Sequence, residues 1–192
     1  MTDWRAIAAA GHLGDEATAR AALRSPDPVA RQLALGALDR IGVLGDDEVA
    51  AAMADDAADV RRRAVTLAAA RPDVALLSAL DDPAPAVVET AAWACGERAD
   101  TPTDVLDRLI ALAASADDAL VREAAVAALG AVGDERGLPT ILAACTDKPA
   151  VRRRAVLALA PFDGPEVDAA LETALGDRDW QVRQAAEDLR RA

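Results

Sequence analysis

The chain has 192 residues, with 21 basic and 33 acidic side chains and a formal charge of −12. One histidine (His12), two distant cysteines and four aromatic residues exclude a polyhistidine metal site and a zinc knuckle, so no metal and no cofactor are expected. Alanine supplies 51 residues and strand-forming β-branched and aromatic residues are scarce, which predicts an all-α fold with a thin core and closely approaching helices.

The N-terminus, Met1-Thr2-Asp3-Trp4-Arg5, has no basic segment followed by an apolar run, and no signal peptide is expected. The longest uncharged stretches are about ten residues, too short to span a membrane, and the expected address is cytoplasmic. Residues 3–11 read as a half-repeat, in which Trp4 is expected to cover the open end of the core, while Trp180 is expected to start the last helix and pack at the C-terminal edge. His12 follows the half-repeat as a surface or capping residue. Six helix pairs are expected after it, over about 14–41, 45–70, 72–98, 102–131, 134–160 and 164–191, forming a single domain over residues 1–192.

The first helix of a pair opens on an acidic turn: Gly14-Asp15-Glu16, Gly45-Asp46-Asp47-Glu48, Gly133-Asp134-Glu135 and Gly164-Pro165-Glu166. Glycine is expected to close the preceding helix, and the acids to favour the N–H groups and dipole of the next. The second helix carries an apolar residue, an arginine and then an alanine three positions on. Copies are Ala30-Arg31 with Ala34, Val60-Arg61 with Ala64, Val121-Arg122 with Ala125, Val151-Arg152 with Ala155 and Val182-Arg183 with Ala186. A degenerate copy, Val87-Val88 with Ala91, lacks the arginine. Asp27 and Asp82 are expected N-caps, with Pro28 and Pro83 in the first turn. The key positions 31, 61, 88, 122, 152 and 183 recur about every thirty residues, the signature of stacked repeats. In the last copy the stacking position is Glu187, as expected of a polar cap on a complete array.

Through Asp27-Pro28…Arg31…Ala34…Leu38 and Val121-Arg122…Ala125…Ala128-Leu129-Gly130, the chain resembles HEAT-repeat proteins, in particular the short HEAT-like repeats of the phycobilisome-lyase type. The resemblance implies a right-handed α-α superhelix whose second helices line a concave surface. It also implies that the repeated arginines pair with turn aspartates of the same or a neighbouring repeat.

With residues +3, +6 and +7 from the arginine buried, those at +1, +2, +5, +8 and +9 point away from them. The +5 row reads Gly36, Thr66, Trp93, Ala127, Leu157 and Asp188, one large aromatic between small neighbours. The expected partner-binding groove therefore comprises Arg62, Arg63, Thr66, Glu89, Thr90, Trp93, Glu97, Glu123, Arg153 and Arg154, against the plainer reading of Trp93 as gap filler. The triplets Arg61–Arg63 and Arg152–Arg154 suit an acidic peptide or phosphate, or else form a solvated helix face.

No nucleophile elbow, phosphate loop or zinc-protease motif is present, and catalytic residues are not expected. The expected function is a non-catalytic scaffold that binds an unknown protein or peptide on its concave groove, and the chain is expected to be monomeric. Resemblance offers two alternatives: a nucleic-acid-binding or DNA glycosylase-like protein, opposed by the −12 charge, and a bilin-lyase-like protein, for which no tetrapyrrole pocket is evident. A di-iron hydroxylase needs His-Glu pairs, and the single His12 is followed by Leu13.

Overall fold

The computed structural model describes residues 2–191, which form twelve α-helices and two short 3-10 segments with no strand among them. They fall into two compact units, Met1–Ala91 and Ala92–Ala192. The first holds α1 (Trp4–Leu13), α2 (Glu16–Ala22), α3 (Pro28–Ile41), α4 (Asp46–Ala52), α5 (Ala58–Ala68), a 3-10 segment Leu77–Asp81 and the start of α6 (Pro85–Gly96). The second holds the end of α6 and then α7 (Thr103–Ser115), α8 (Ala119–Val132), a 3-10 segment Glu135–Gly137, α9 (Leu138–Ala144), α10 (Pro149–Ala158), α11 (Pro165–Leu175) and α12 (Trp180–Leu189).

Local signals account for several helix ends. Asp3, Asp15, Asp27, Asp118 and Asp179 each cap a helix by accepting backbone N–H groups of its first turn. Gly14, Gly42 and Gly133 end α1, α3 and α8 in the left-handed region, with φ of 71°, 82° and 68°. Gly45 departs from the expected role: Gly42 closes α3, and Gly45 instead stands at the N-cap of α4, where its N–H donates to Glu48 at 3.0 Å. Asp82 and Pro83 also lie outside their expected places, because α6 starts later, at Pro85. Over residues 72–98 only one α-helix forms. Pro72, Pro83 and Pro85 bracket the segment before α6, and each removes a backbone donor, so its first member is the 3-10 turn Leu77–Asp81.

The apolar positions then assemble as their spacing requires. The residue before each key position is buried (Ala30, Val60, Val87, Val121, Val151 and Val182), as is the alanine three positions after it. In the first unit Ile7, Ala22, Ala30 and Ala34 form one cluster; in the second, Val156, Ala174, Val182, Ala185 and Ala186 form another. Small residues let second helices approach closely. A Cβ on Gly130 of α8 would lie 2.6 Å from both Cα and Cβ of Ala158 on α10, and one on Gly96 of α6 would lie 3.1 Å from Cα of Ala128 on α8. The alanine-rich composition thus works as contact geometry between helices.

The candidate interaction face

The key arginines are fixed first. Arg31 donates Nε and a terminal nitrogen to the two oxygens of Asp55 at 2.7 Å each, and Arg61 does the same to Asp82 at 2.6 and 2.8 Å. In the second unit Arg122 grips Asp147 at 2.6 and 2.9 Å, and Arg152 grips Asp177 at 2.8 Å twice. The partner is always the turn aspartate of the following repeat. The arginine's own upstream turn supplies a backbone carbonyl instead: Ser25, Asp55, Ala116 and Asp147 accept from Arg31, Arg61, Arg122 and Arg152. Asp55, Asp82 and Asp177 each also accept a backbone N–H two residues on, so one carboxylate closes a turn and receives a fork.

These hydrogen bonds from Arg31 hold the Asp55 carboxyl down at about 2. Asp82, Asp147 and Asp177 are lowered chiefly by Arg61, Arg122 and Arg152. These cations are therefore committed to structure. Cys95 and Cys145 are free thiols pushed up to about 11 by burial, the opposite of an activated nucleophile.

The ten expected groove residues divide between the units. Arg62, Arg63, Thr66, Glu89 and Thr90 belong to the first, and Trp93, Glu97, Glu123, Arg153 and Arg154 to the second. In the first unit Arg62 is exposed and stands 3.6 Å from Asp59 on its own helix. Arg63 reaches back over α3, where a Cβ on the buried Gly36 would lie 2.7 Å from its terminal nitrogen. The hydroxyls of Thr66 and Thr90 donate one turn back, to the carbonyls of Arg62 and Ala86, at 3.0 and 2.8 Å. Glu89 is exposed.

In the second unit Trp93 is 45% exposed, so it is not a buried gap filler, and Glu97 is also exposed. Glu123 of α8 is brought together with Arg153 and Arg154 of α10, at 3.9 and 3.7 Å. Leu157, at Trp93's equivalent position on α10, is exposed as well. It lies in the +5 row but outside the ten expected groove residues, which apart from Trp93 are all polar or charged.

Two terminal expectations need correction. Trp4 does not bury itself over the core: it is 51% exposed, and its indole N–H donates to Asp27 at 2.6 Å, tying the start of α1 to the cap of α3. Trp180 begins α12 as expected but is also exposed. A groove of about 630 Å³ beside α9 and α11, lined by Leu142, Cys145, Thr173, Ala174 and Val182 among others, was not visible in the sequence, because residues of α9, α11 and α12 line it together. Among the described residues no three His, Cys, Asp or Glu side chains gather in a way that could hold a metal ion, and no helix is long and apolar enough to cross a membrane.

The HEAT-repeat family model matches residues 47–130, 74–150 and 106–190, overlapping stretches that cover most of the chain. The match is to HEAT repeats in general; the phycobilisome-lyase type is a finer distinction than it draws. No curated protein sequence matches the chain. Among solved structures, YibA from Escherichia coli is similar at 18% identity and a TM-score of 0.71, over 95% of this chain and 70% of that one. A designed armadillo repeat protein in complex with a peptide, (KR)4, gives 18% and 0.64, over 91% and 97%. Human deoxyhypusine hydroxylase gives 20% and 0.50, over 95% and 75%. The key arginines, the buried alanines and these matches agree on the architecture, an all-α fold of the HEAT and armadillo kind, and the chain belongs to the HEAT-repeat family.

Proposed function

We propose that the chain is a non-catalytic scaffold that binds a protein or peptide on the exposed faces of its second helices. A repeat fold of this kind fits a protein-interaction role, since successive helices offer a broad surface of side chains on rigid elements. The observation that carries the reading is Trp93: a large amphipathic ring, nearly half exposed, in a chain that has only four aromatic residues. Within the arginine triplets Arg61 and Arg152 are locked onto Asp82 and Asp177, and the chain carries a formal charge of −12, which favours a protein partner over nucleic acid.

Affinity capture from the native cell, with wild type beside Trp93→Ala and Arg62→Glu, tests the reading. A partner retained by the wild type and lost from Trp93→Ala is the expected result. Identical partner sets for all three proteins would refute it. A salt-dependent DNA mobility shift that the chain produced at low ionic strength would favour nucleic acid instead.

A further inference from the structure

The chain is acidic overall, but its charge is unevenly placed. On α3, α5, α6, α8, α10 and α12 there are ten arginines against six carboxylates. The excess is greatest on α10, where Arg152, Arg153 and Arg154 follow one another and no acid is present. Arg152 is locked onto Asp177. Its two neighbours are not held in this way. Both approach the same oxygen, Oε1 of Glu123, at distances longer than a hydrogen bond, and each keeps a buried Nε–H that donates to nothing.

Glu123 forms the inner side of this cluster, with its side chain 18% exposed, while those of Arg153 and Arg154 are 37% and 39% exposed. Two guanidiniums against one carboxylate leave one positive charge uncompensated, on side chains that are more than a third exposed. That charge calls for an anion, and a carboxylate is the acceptor whose two oxygens match the fork of a guanidinium. The cluster is thus short of one anion.

Apolar surface lies beside it. Leu157 stands four residues beyond Arg153 and three beyond Arg154, on the adjoining turn of the same helix face. Trp93 occupies the equivalent position on α6, and Ala127 that on α8. The close approaches at Gly96–Ala128 and Gly130–Ala158 make α6, α8 and α10 successive neighbours. Two interaxial spacings of about 8–10 Å separate Trp93 from Leu157, a distance that about five or six extended residues span.

We infer that this face takes an extended peptide segment whose apolar side chains cover Trp93 and Leu157 and whose Asp or Glu carboxylate is received by Arg153 and Arg154. The inference rests on the scaffold reading and adds the partner's chemistry to it. In this arrangement Glu123 is a competitor, holding the two arginines in place until the partner's carboxylate arrives.

The test is selection of a phage-displayed library of random dodecapeptides on the full chain, followed by fluorescence anisotropy with one labelled selected peptide. The selected sequences are expected to share an acidic residue within a few positions of Leu, Phe or another apolar side chain. Affinity should fall about tenfold or more in Arg154→Glu and in Trp93→Ala. It should rise several-fold in Glu123→Gln, a gain that a merely structural role for Glu123 would not give. Arg154→Gln, which keeps a long polar side chain, guards against misfolding and should weaken binding to a smaller degree.

Selection of basic peptides, or of peptides indifferent to Glu123→Gln and Arg154→Glu, would overturn the inference; if those peptides still depended on Trp93, the scaffold reading would stand. An empty selection would overturn the inference too, and unchanged partner capture by Trp93→Ala would then remove the scaffold reading separately. A rise in Tm with inorganic phosphate, abolished by Arg154→Gln and unaccompanied by peptide binding, would make the cluster a simple anion site.

Discussion

Arg31 closes a fork on Asp55, a residue twenty-four positions ahead of it, and so joins one repeat to the next. The relation recurs as Arg61 on Asp82, Arg122 on Asp147 and Arg152 on Asp177. At the degenerate copy both members are replaced: Val88 stands in the arginine's position, and Ala116 stands where the next turn aspartate belongs. Arg122 still donates to the Ala116 carbonyl at 2.6 Å, so the backbone half of the motif remains where the carboxylate half is absent. An arginine in this position therefore goes with an aspartate in the following turn, which is the pattern of a bond between repeats.

Breaking one rung leaves a charge in a poorly hydrated place. In Arg61→Met the Asp82 side chain, 7% exposed, loses its cation. We expect a stability loss of about 3 kcal/mol in urea unfolding. Asp82→Asn added to Arg61→Met keeps the acceptor for Ala84 N–H, removes the stranded charge and should restore part of that loss. The exposed pair Arg190–Glu172 makes the contrast: Arg190→Ala should cost less than about 0.5 kcal/mol.

The same rungs set the acid limit of the fold. Asp55, Asp82, Asp147 and Asp177 all have carboxyls lowered in the folded chain, Asp55 to about 2 from an ordinary 3.8. A lowered folded value stabilises above the unfolded value, and the contribution is lost as pH falls through the folded one. Tm should therefore hold near neutrality and drop between about pH 4 and pH 2. Asp55→Asn should lower the plateau and flatten the acid slope, as followed by circular dichroism across that range.

The repeat, its buried register and the helical class could be read from the sequence because each follows from period and residue type. Ala34, Ala64, Ala91, Ala125, Ala155 and Ala186 are buried as their spacing requires. Neighbours across repeats could not be read in the same way. The resemblance leaves open whether each arginine pairs within its own repeat or with a neighbouring one; the side chain reaches forward to the next repeat, and the upstream turn offers its carbonyl. Trp4 shows the same limit, because its helical position gave its face while the nearness of Asp27, which holds the indole at the surface, depends on how α1 meets α3. At the candidate site, sequence singled out Trp93 and the arginine triplets, but only side-chain distances separate the locked Arg152 from the loosely held Arg153 and Arg154.

Two glycines within second helices, Gly36 of α3 and Gly130 of α8, should answer oppositely to alanine. At Gly130 the added methyl meets Cα, Cβ and the carbonyl oxygen of Ala158 at 2.6, 2.6 and 2.9 Å, so α8 and α10 must separate. Gly130→Ala should destabilise by about 1–3 kcal/mol despite its better helix propensity. At Gly36 the close atoms belong to the far end of Arg63, which can swing away. Gly36→Ala should leave stability unchanged or raise it by up to about 1 kcal/mol, since alanine favours the helix. Thermal and urea unfolding of the two variants side by side would decide it, and a matching loss in both would show that the Arg63 contact is as rigid as the backbone one.

Trp93 can report on its own surroundings. Trp4, Trp93 and Trp180 are all substantially exposed, so the free chain should emit at the long wavelengths of hydrated indole. A partner that covers Trp93 removes water from one ring of the three and should shift part of that emission to the blue. The shift should survive Trp4→Phe and Trp180→Phe and vanish in Trp93→Phe. Trp93→Ala should cost well under the roughly 3–5 kcal/mol of a fully buried tryptophan, because much of the ring is already in water. A large stability loss there, or a binding-induced shift that persists without Trp93, would place the ring in the packing of α6 and the partner elsewhere on the chain.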